Sequence, residues 1–419
     1  MLENLKSKLN IEKYIFIVIM AVLIGLPALK LLSYNLFTAG IITDSFDINH
    51  VYLLWLAIPF LLVLYILNIF LNNKKINYID IIVYFLIVLA IISTICAVDI
   101  NKSIYGEYKR NEGLLSIISY YLIFLNVKNI KNDKYIKLII KTFIVVGLVQ
   151  VVYAFLQVYT EFGFIKHYSR PYMASSLSGN PNFFGSYMVM HTLIMFVLYL
   201  LKDKKIYLIL SLIFFSGLCL GSSTGPFLGF IVTTIFFIIC YRKKFNIKKL
   251  FKILLLFVVV YIFIDCSNKF VQENIFGNQI DDDYNISLEL KKGIGNRFGN
   301  GRIELWLNSL PLVKKYWITG CGLDNFKNVY SQSNGLVFDK AHNVYLQMLI
   351  TNGVFAFLLY LVLCLIIFIK GLKLKNELYI ALFIAFIGYS IQAFANISVI
   401  DVAPTFFTIM GIIVSRFKK

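Results

Sequence analysis

Long apolar runs separated by short polar connections make up most of this sequence. The runs are about 15–25 residues long, and a helix of about 20 residues crosses the hydrocarbon core of a bilayer, which is roughly 30 Å thick. The pattern therefore predicts an all-α polytopic membrane protein, and the first run reads as a retained helix rather than a cleaved signal. We expect about twelve transmembrane helices, at 14–32, 51–71, 79–98, 114–127, 136–160, 181–201, 206–220, 225–241, 250–266, 342–369, 378–395 and 403–415.

One long polar segment, 267–341, interrupts the apolar pattern between the ninth and tenth predicted helices. We expect a single integral membrane domain over 1–419 in which this segment is a large extracytoplasmic loop. Its stretch Arg302–Lys315 mixes apolar and polar residues around Trp306, which predicts a helix lying along the membrane interface. Pro311 argues for a kink in that helix, because proline lacks the backbone donor that a helix interior needs.

The positive charge of the chain follows the predicted topology. The formal net charge is +18, yet charged residues make up only 15% of the sequence. With the N-terminus inside, 25 of the 40 Lys and Arg residues fall in inner segments, six in short outer segments and nine in the long loop. Inner loops of membrane proteins carry this excess, so we expect both termini in the cytoplasm. The excess of basic residues is therefore explained by membrane topology, which argues against a nucleic-acid partner.

The positions of the cysteines and ionisable residues argue against a metal-binding or disulfide-stabilised protein and against an ion-coupled transporter. The six cysteines are scattered without a CxxC pair, so neither a disulfide framework nor a zinc site is predicted. The acidic run Asp281-Asp282-Asp283 reads as solvated, and we expect no metal. His191 is the one ionisable group near the middle of a predicted helix, where we expect it buried and hydrogen-bonded. Ion-coupled carriers usually need carboxylates inside the membrane, so this scarcity disfavours such transport.

Three arginines at predicted outer helix ends are candidates for binding an anion. Arg110 precedes the fourth predicted helix, Arg170 precedes the sixth, and Arg302 lies in the long loop. A diphosphate needs several donors in fixed geometry, and a guanidinium group offers a planar fork that stays charged. Each arginine alone could instead reach lipid headgroups, as interfacial arginines commonly do.

His342 is the candidate general base. It stands at the predicted start of the tenth helix, with Asp339 as a candidate N-cap. A helix N-terminus disfavours the imidazolium form, so we expect a neutral imidazole that can accept a proton from a sugar hydroxyl. The alternative is a polar first-turn residue with no chemical role.

Together these motifs resemble the O-antigen ligase and O-antigen polymerase superfamily of bacterial membrane glycosyltransferases, over about 100–415. The resemblance rests on Gly106, Arg110 and Gly113-Leu114-Leu115, on Arg170 with Gly179-Asn180-Pro181-Asn182, on Gly301-Arg302 and Trp306, on Gly320-Cys321-Gly322 and Phe326, and on His342-Asn343 with Leu346-Gln347 and Gly353. It implies a C-type glycosyltransferase-like helical fold. It also implies an activity that moves a glycan from a polyprenyl diphosphate, such as undecaprenyl diphosphate, to an acceptor hydroxyl outside the cytoplasmic membrane.

The resemblance also assigns roles to residues of this chain. Arg110, Arg170 and Arg302 are expected to bind the diphosphate and His342 to act as base, in an inverting reaction without metal or other cofactor. One departure stands out: many members have Ser-Arg-Gly where this chain has Ser223-Thr224-Gly225. The candidates to supply that positive charge are Lys109 and Arg297, and Asn182 and Asn343 are candidates for supporting contacts.

The sequence is compatible with three activities. A ligase would attach a finished glycan to a lipid, wall or protein acceptor in cell-envelope polysaccharide biosynthesis. A polymerase would join lipid-linked repeat units. A lipid-linked glycan flippase or other transporter belongs to a different class, and the single large outer loop with few buried charges disfavours it.

Overall fold

The computed structural model describes residues 10–41, 50–72, 74–160, 173–268, 302–330 and 338–417. Every regular element within these ranges is a helix. The α-helices are α1 (Ile11–Thr38), α2 (Val51–Leu71), α3 (Tyr78–Ile95), α4 (Ile100–Tyr105), α5 (Leu114–Val127), α6 (Asp133–Tyr159), α7 (Pro181–Lys202), α8 (Lys205–Gly221), α9 (Thr224–Tyr241), α10 (Ile247–Asn268), α11 (Arg302–Lys315), α12 (Phe326–Val329), α13 (Val344–Gly371), α14 (Glu377–Gln392) and α15 (Ala403–Val414).

The predicted membrane helices all correspond to helices of the structure. Nine helices in the described ranges are long and apolar enough to cross a membrane, while α5, α8 and α15 are apolar but shorter. A helix of 14 residues such as α5 is about 21 Å long, less than a full hydrocarbon core. The polytopic all-helical architecture is confirmed, and the count of twelve crossings stays a prediction.

Helix α7 forms the centre of the bundle. It packs against α8 and α14, and nearly all its side chains from Phe183 onward are buried. A helix that is apolar all round belongs in an interior position. Its start follows from the sequence, because Asn180 accepts a hydrogen bond from the Asn182 amide at 2.8 Å and Pro181 occupies the first helical position.

His191 lies on α7 as an interior residue. It is fully buried, and its two ring nitrogens lie 2.9 Å from the carbonyl oxygens of Tyr187 and Phe143. The ring also stacks on Phe143, with 3.6 Å between centroids. The expected buried, hydrogen-bonded position is confirmed, and these contacts give His191 a packing role.

The Gly320-Cys321-Gly322 motif of the long loop packs against a kink in α13. Gly353 has a φ of 81° in the middle of this helix, a left-handed backbone that favours glycine. The kink releases backbone groups that bond the preceding segment: the Val354 amide donates to the Trp317 carbonyl at 2.7 Å, and the Cys321 amide donates to the Ile350 carbonyl at 2.9 Å. A Cβ on Gly320 would lie 2.1 Å from the Thr351 carbonyl oxygen, so the close approach requires glycine there.

Helix α11 lies at Arg302–Lys315, the stretch of 267–341 where the sequence predicts a helix. Leu305 is fully buried, and the indole nitrogen of Trp306 donates to the Ala341 carbonyl at 2.9 Å. The helix continues through Pro311 to Lys315. Its position along the membrane interface stays a prediction. Asp281-Asp282-Asp283, Gly301 and much of the rest of 267–341 lie outside the described residues.

Candidate functional site

The turn before α13 places His342 differently from the sequence-based expectation. Asp339 does not cap the helix: the N-cap is Asn343, whose side-chain oxygen accepts from the amides of Tyr345 and Leu346, both at 3.0 Å. His342 precedes this cap with a φ of 49°. His342 therefore lies before the first turn of α13. The backbone conformation of the connecting segment, rather than the helix, sets the direction of its side chain.

Burial and neighbouring cations set the charge state of His342. Burial lowers the pKa of the imidazole to about 4, with the positive charge of Arg302 as the next cause. Arg110 and Lys340 act in the same direction, and the Asp339 carboxylate opposes them. The imidazole is therefore neutral at pH 7, and the main causes are burial and nearby guanidinium groups rather than a helix N-terminus.

Arg110 reaches the same turn from the loop between α4 and α5. Its Nε and Nη2 donate to one carboxylate oxygen of Asp339, at 2.6 and 2.5 Å. Its guanidinium also lies 5.5 Å from the centroid of the Phe183 ring at the start of α7. Burial alone would raise the pKa of Asp339, but Arg110 holds it below its usual value. The ion pair thus joins this loop to the segment that carries His342.

Arg302 begins α11 and is half-buried. Its Nη1 donates to the Ala395 carbonyl oxygen, and burial lowers its pKa, although an arginine stays charged in proteins. Within the described ranges it forms no ion pair with a carboxylate. A partly desolvated guanidinium without a carboxylate partner is a position that an anionic ligand would stabilise.

Asn182 lies near the backbone group that holds Arg302. Its side-chain oxygen accepts from the Ser223 hydroxyl, and its backbone carbonyl oxygen accepts from the side-chain Nδ2 of Asn396 at 3.0 Å. Asn396 directly follows Ala395, the acceptor for Arg302. The Ser223-Thr224-Gly225 turn therefore lies close to the site, and the position where many family members carry arginine holds the exposed Thr224.

The candidates named from the sequence divide into three groups. Arg110, Arg302 and His342 lie close to one another, with Asn343 capping the helix that follows and Asn182 bonded to Asn396, next to the backbone acceptor of Arg302. Lys109 is exposed on the Arg110 loop, with its amine 5.4 Å from the Tyr108 ring centroid. Arg170 and Arg297 lie outside the described residues. The diphosphate-binding and base roles stay predictions.

Sequence reasoning missed a group of buried charges beside this site: Glu112, Asp324 and Lys340. Asp324 accepts hydrogen bonds from the amides of Glu107 and Glu112, and Lys340 forms ion pairs with Asp324 and Glu112. The signal available in the sequence was their adjacency to Arg110, to the Gly320-Cys321-Gly322 motif and to His342. Their burial depends on tertiary contacts.

A cavity adjoins the buried charges and runs between α5, α13, α14 and α15. The cavity has a volume of about 100 Å³, and its lining includes Glu112, Lys340, Tyr120, Tyr389 and Gln347. An apolar and aromatic lining with a few convergent polar groups is typical of ligand-binding cavities. Open space therefore lies next to the turn that carries His342.

Comparison with known families agrees with the sequence motifs. Residues 206–361 match the family model described as O-antigen ligase, a segment that includes Arg302 and His342. A search of the curated proteins finds no match. This match supports the resemblance to the O-antigen ligase and O-antigen polymerase superfamily over these residues and, at a coarse level, a membrane glycosyltransferase-type enzyme of ligase or polymerase type.

Proposed function

We propose that this protein transfers a glycan from a polyprenyl-diphosphate carrier to an acceptor hydroxyl at the outer face of the bacterial cytoplasmic membrane. The observation that carries the proposal is the half-buried Arg302, which has no carboxylate partner within the described ranges and whose charge lowers the pKa of His342. A bound diphosphate would supply an anionic partner for this guanidinium. The neutral imidazole beside it supplies a base.

The reaction is a direct displacement in this proposal. The acceptor oxygen attacks the anomeric carbon, and the bond from that carbon to the diphosphate oxygen breaks with its electron pair going to the diphosphate. His342 takes the proton of the acceptor hydroxyl. The anomeric carbon inverts, and the step uses neither a metal ion nor a covalent enzyme intermediate.

The guanidinium groups stabilise the charge that develops on the leaving diphosphate. Removing one such preorganised donor typically costs about 10²–10³ in rate. Arg110 binds Asp339 through Nε and Nη2, which leaves its Nη1 group to approach a second anion. A bound diphosphate would compete with Asp339 for Arg110, so the Arg110–Asp339 pair would loosen as the donor enters.

The test uses purified protein in lipid nanodiscs with a polyprenyl-diphosphate oligosaccharide and an acceptor glycan. We expect wild-type protein to release polyprenyl diphosphate, and His342→Ala to abolish the release because the acceptor keeps its proton. Arg302→Lys keeps the charge but loses the planar fork, so we expect a fall of about 10²-fold or more. Lys314→Ala, an exposed cation on the same helix, is the matched control and should leave turnover unchanged.

The same assay separates the rival activities. Full turnover in His342→Ala would remove this residue from the mechanism. A ladder of products of increasing length would favour a polymerase, whereas a single transfer would favour a ligase. Movement of intact donor across the bilayer without release of polyprenyl diphosphate would favour a flippase and would overturn the proposed transfer.

A further inference from the structure

Three ionisable side chains are buried together beside the site. Lys340 and Asp324 are each 3% exposed and Glu112 is 7% exposed. Lys340 forms an ion pair with Asp324 and another with Glu112 at 3.5 Å. Burial alone would lower the pKa of Lys340, but Asp324 and then Glu112 raise it above its usual value. Lys340 is therefore charged, and removing it would leave buried carboxylates without their partner.

The Asp324 carboxylate determines the shape of the loop that carries Arg110. One of its oxygens accepts from the Glu107 amide at 2.8 Å and from the Glu112 amide at 3.3 Å. Arg110 lies between these two amides in the chain. A single carboxylate therefore holds both ends of this short loop.

Lys340 connects the Arg110 loop to the segment that carries His342. It stands next to Asp339 and two residues before His342. Arg110 and Asp339 make a second connection between the same two segments. That second connection would loosen once a diphosphate competed with Asp339 for Arg110, whereas the buried ion pairs of Lys340 do not include Arg110.

Because the Arg110–Asp339 ion pair would loosen when the donor binds, the reaction would depend on the buried ion pairs of Lys340. Transfer requires the base and the diphosphate-binding arginines to keep their relative placement, and a misplacement of about 1 Å can cost about 10² in rate. Buried ion pairs add little stability relative to apolar residues of similar volume. Stability alone is therefore a weak reason for placing three buried charges here.

We propose that Glu112, Asp324 and Lys340 are positioning residues, which keep the Arg110 loop and the His342 turn in register while the donor displaces Asp339 from Arg110. The assignment rests on the proposed transfer function. It predicts that the cluster sets kcat, because it acts after the donor is bound, with a smaller effect on the KM for the donor.

The test is Lys340→Met, compared with Lys327→Met as the matched control. Lys327 pairs with Glu107 of the same loop at 3.2 Å but is 42% exposed, and exposed pairs contribute at most about 1 kcal/mol. In Lys340→Met we expect faster hydrogen exchange at the amides of Glu107 and Glu112, measured by mass spectrometry in nanodiscs. We also expect kcat to fall about 10–100-fold, by analogy with residues that orient metal ligands through hydrogen bonds, with the donor KM changed less than about threefold. Lys327→Met should change none of these quantities.

Several results would overturn the proposal. Unchanged exchange at both amides would show that the cluster does not hold the loop. A smaller folded yield with wild-type kcat in the folded fraction would make the cluster purely structural. If Lys340→Met does not fold, Glu112→Gln, which removes the carboxyl group that pairs with Lys340 and keeps the shape, must show the same changes in hydrogen exchange and kcat at smaller size. A wild-type protein without transfer activity would defeat the proposed function instead, and the exchange measurement alone would then decide whether the cluster holds the loop.

Discussion

The charge state of His342 depends on residues far from it in the chain. Arg302 and Arg110 both disfavour its imidazolium form, after burial as the larger cause. Neither spacing nor residue type in the sequence shows this arrangement. The sequence does place histidine and arginine at helix ends, which is enough to name the candidates. The helix cap was harder to predict, because Asp339 and Asn343 are both capping residue types and the choice depends on where the chain turns.

A change at Arg302 should therefore shift the titration of His342. Arg302→Gln removes a positive charge, so we expect the pKa of His342 to rise from about 4, although burial will keep it below the usual value. A neutral imidazole reacts with diethyl pyrocarbonate, and reactivity is lost as the pH falls through the pKa. The loss should occur at higher pH in Arg302→Gln than in wild type.

The measurement is the rate of His342 modification against pH, mapped by mass spectrometry without substrate. Lys314→Gln, on the same helix but exposed, should keep the wild-type midpoint. If Arg302→Gln also kept it, the two side chains would not share one site.

At the scale of elements, apolar periodicity and length predict helices well, because each crossing must satisfy its backbone within the helix. Helix α2 has the predicted bounds, Val51–Leu71. Helix α1 runs from Ile11 to Thr38, longer than the predicted 14–32, because polar residues at its ends are compatible with a helix outside the hydrocarbon core. The kink at Gly353 was not predicted, since a single glycine in an apolar run reads as helix interior.

Replacing Gly353 should destabilise the kink in α13. Gly353→Ala places a side chain at a φ of 81°, with its Cβ 2.2 Å from the Ile318 carbonyl oxygen. A backbone with this φ and a ψ of 171° costs a residue other than glycine about 1–3 kcal/mol, and the clash adds to this cost. We expect a lower thermal unfolding temperature in detergent and weaker hydrogen-exchange protection at Cys321. Phe355→Ala, an exposed position on the same helix, should leave the Cys321 protection intact, and equal loss in both variants would contradict this role of Gly353.

For the whole molecule, the structure separates two ends of the bundle. The site end joins Arg110 to Asp339 and Arg302 to the Ala395 carbonyl. At the other end of the helices, Lys74 and Lys128 pair with Asp80 at the start of α3. The sequence assigns these lysines to the cytoplasmic side by charge bias. It could not show that distant outer segments meet in one site, since that depends on helix packing.

The orientation of the bundle gives the last prediction. In a cysteine-free background, we expect Lys109→Cys on the Arg110 loop to react in intact cells with a membrane-impermeant maleimide, because that loop should face outward. Lys243→Cys, in the basic connection after α9, should react only after the membrane is permeabilised. Both positions are exposed, so a difference in labelling reports sidedness rather than burial. The reverse pattern would place His342 on the cytoplasmic side, where an acceptor outside the membrane cannot reach it, and the proposed transfer would be wrong.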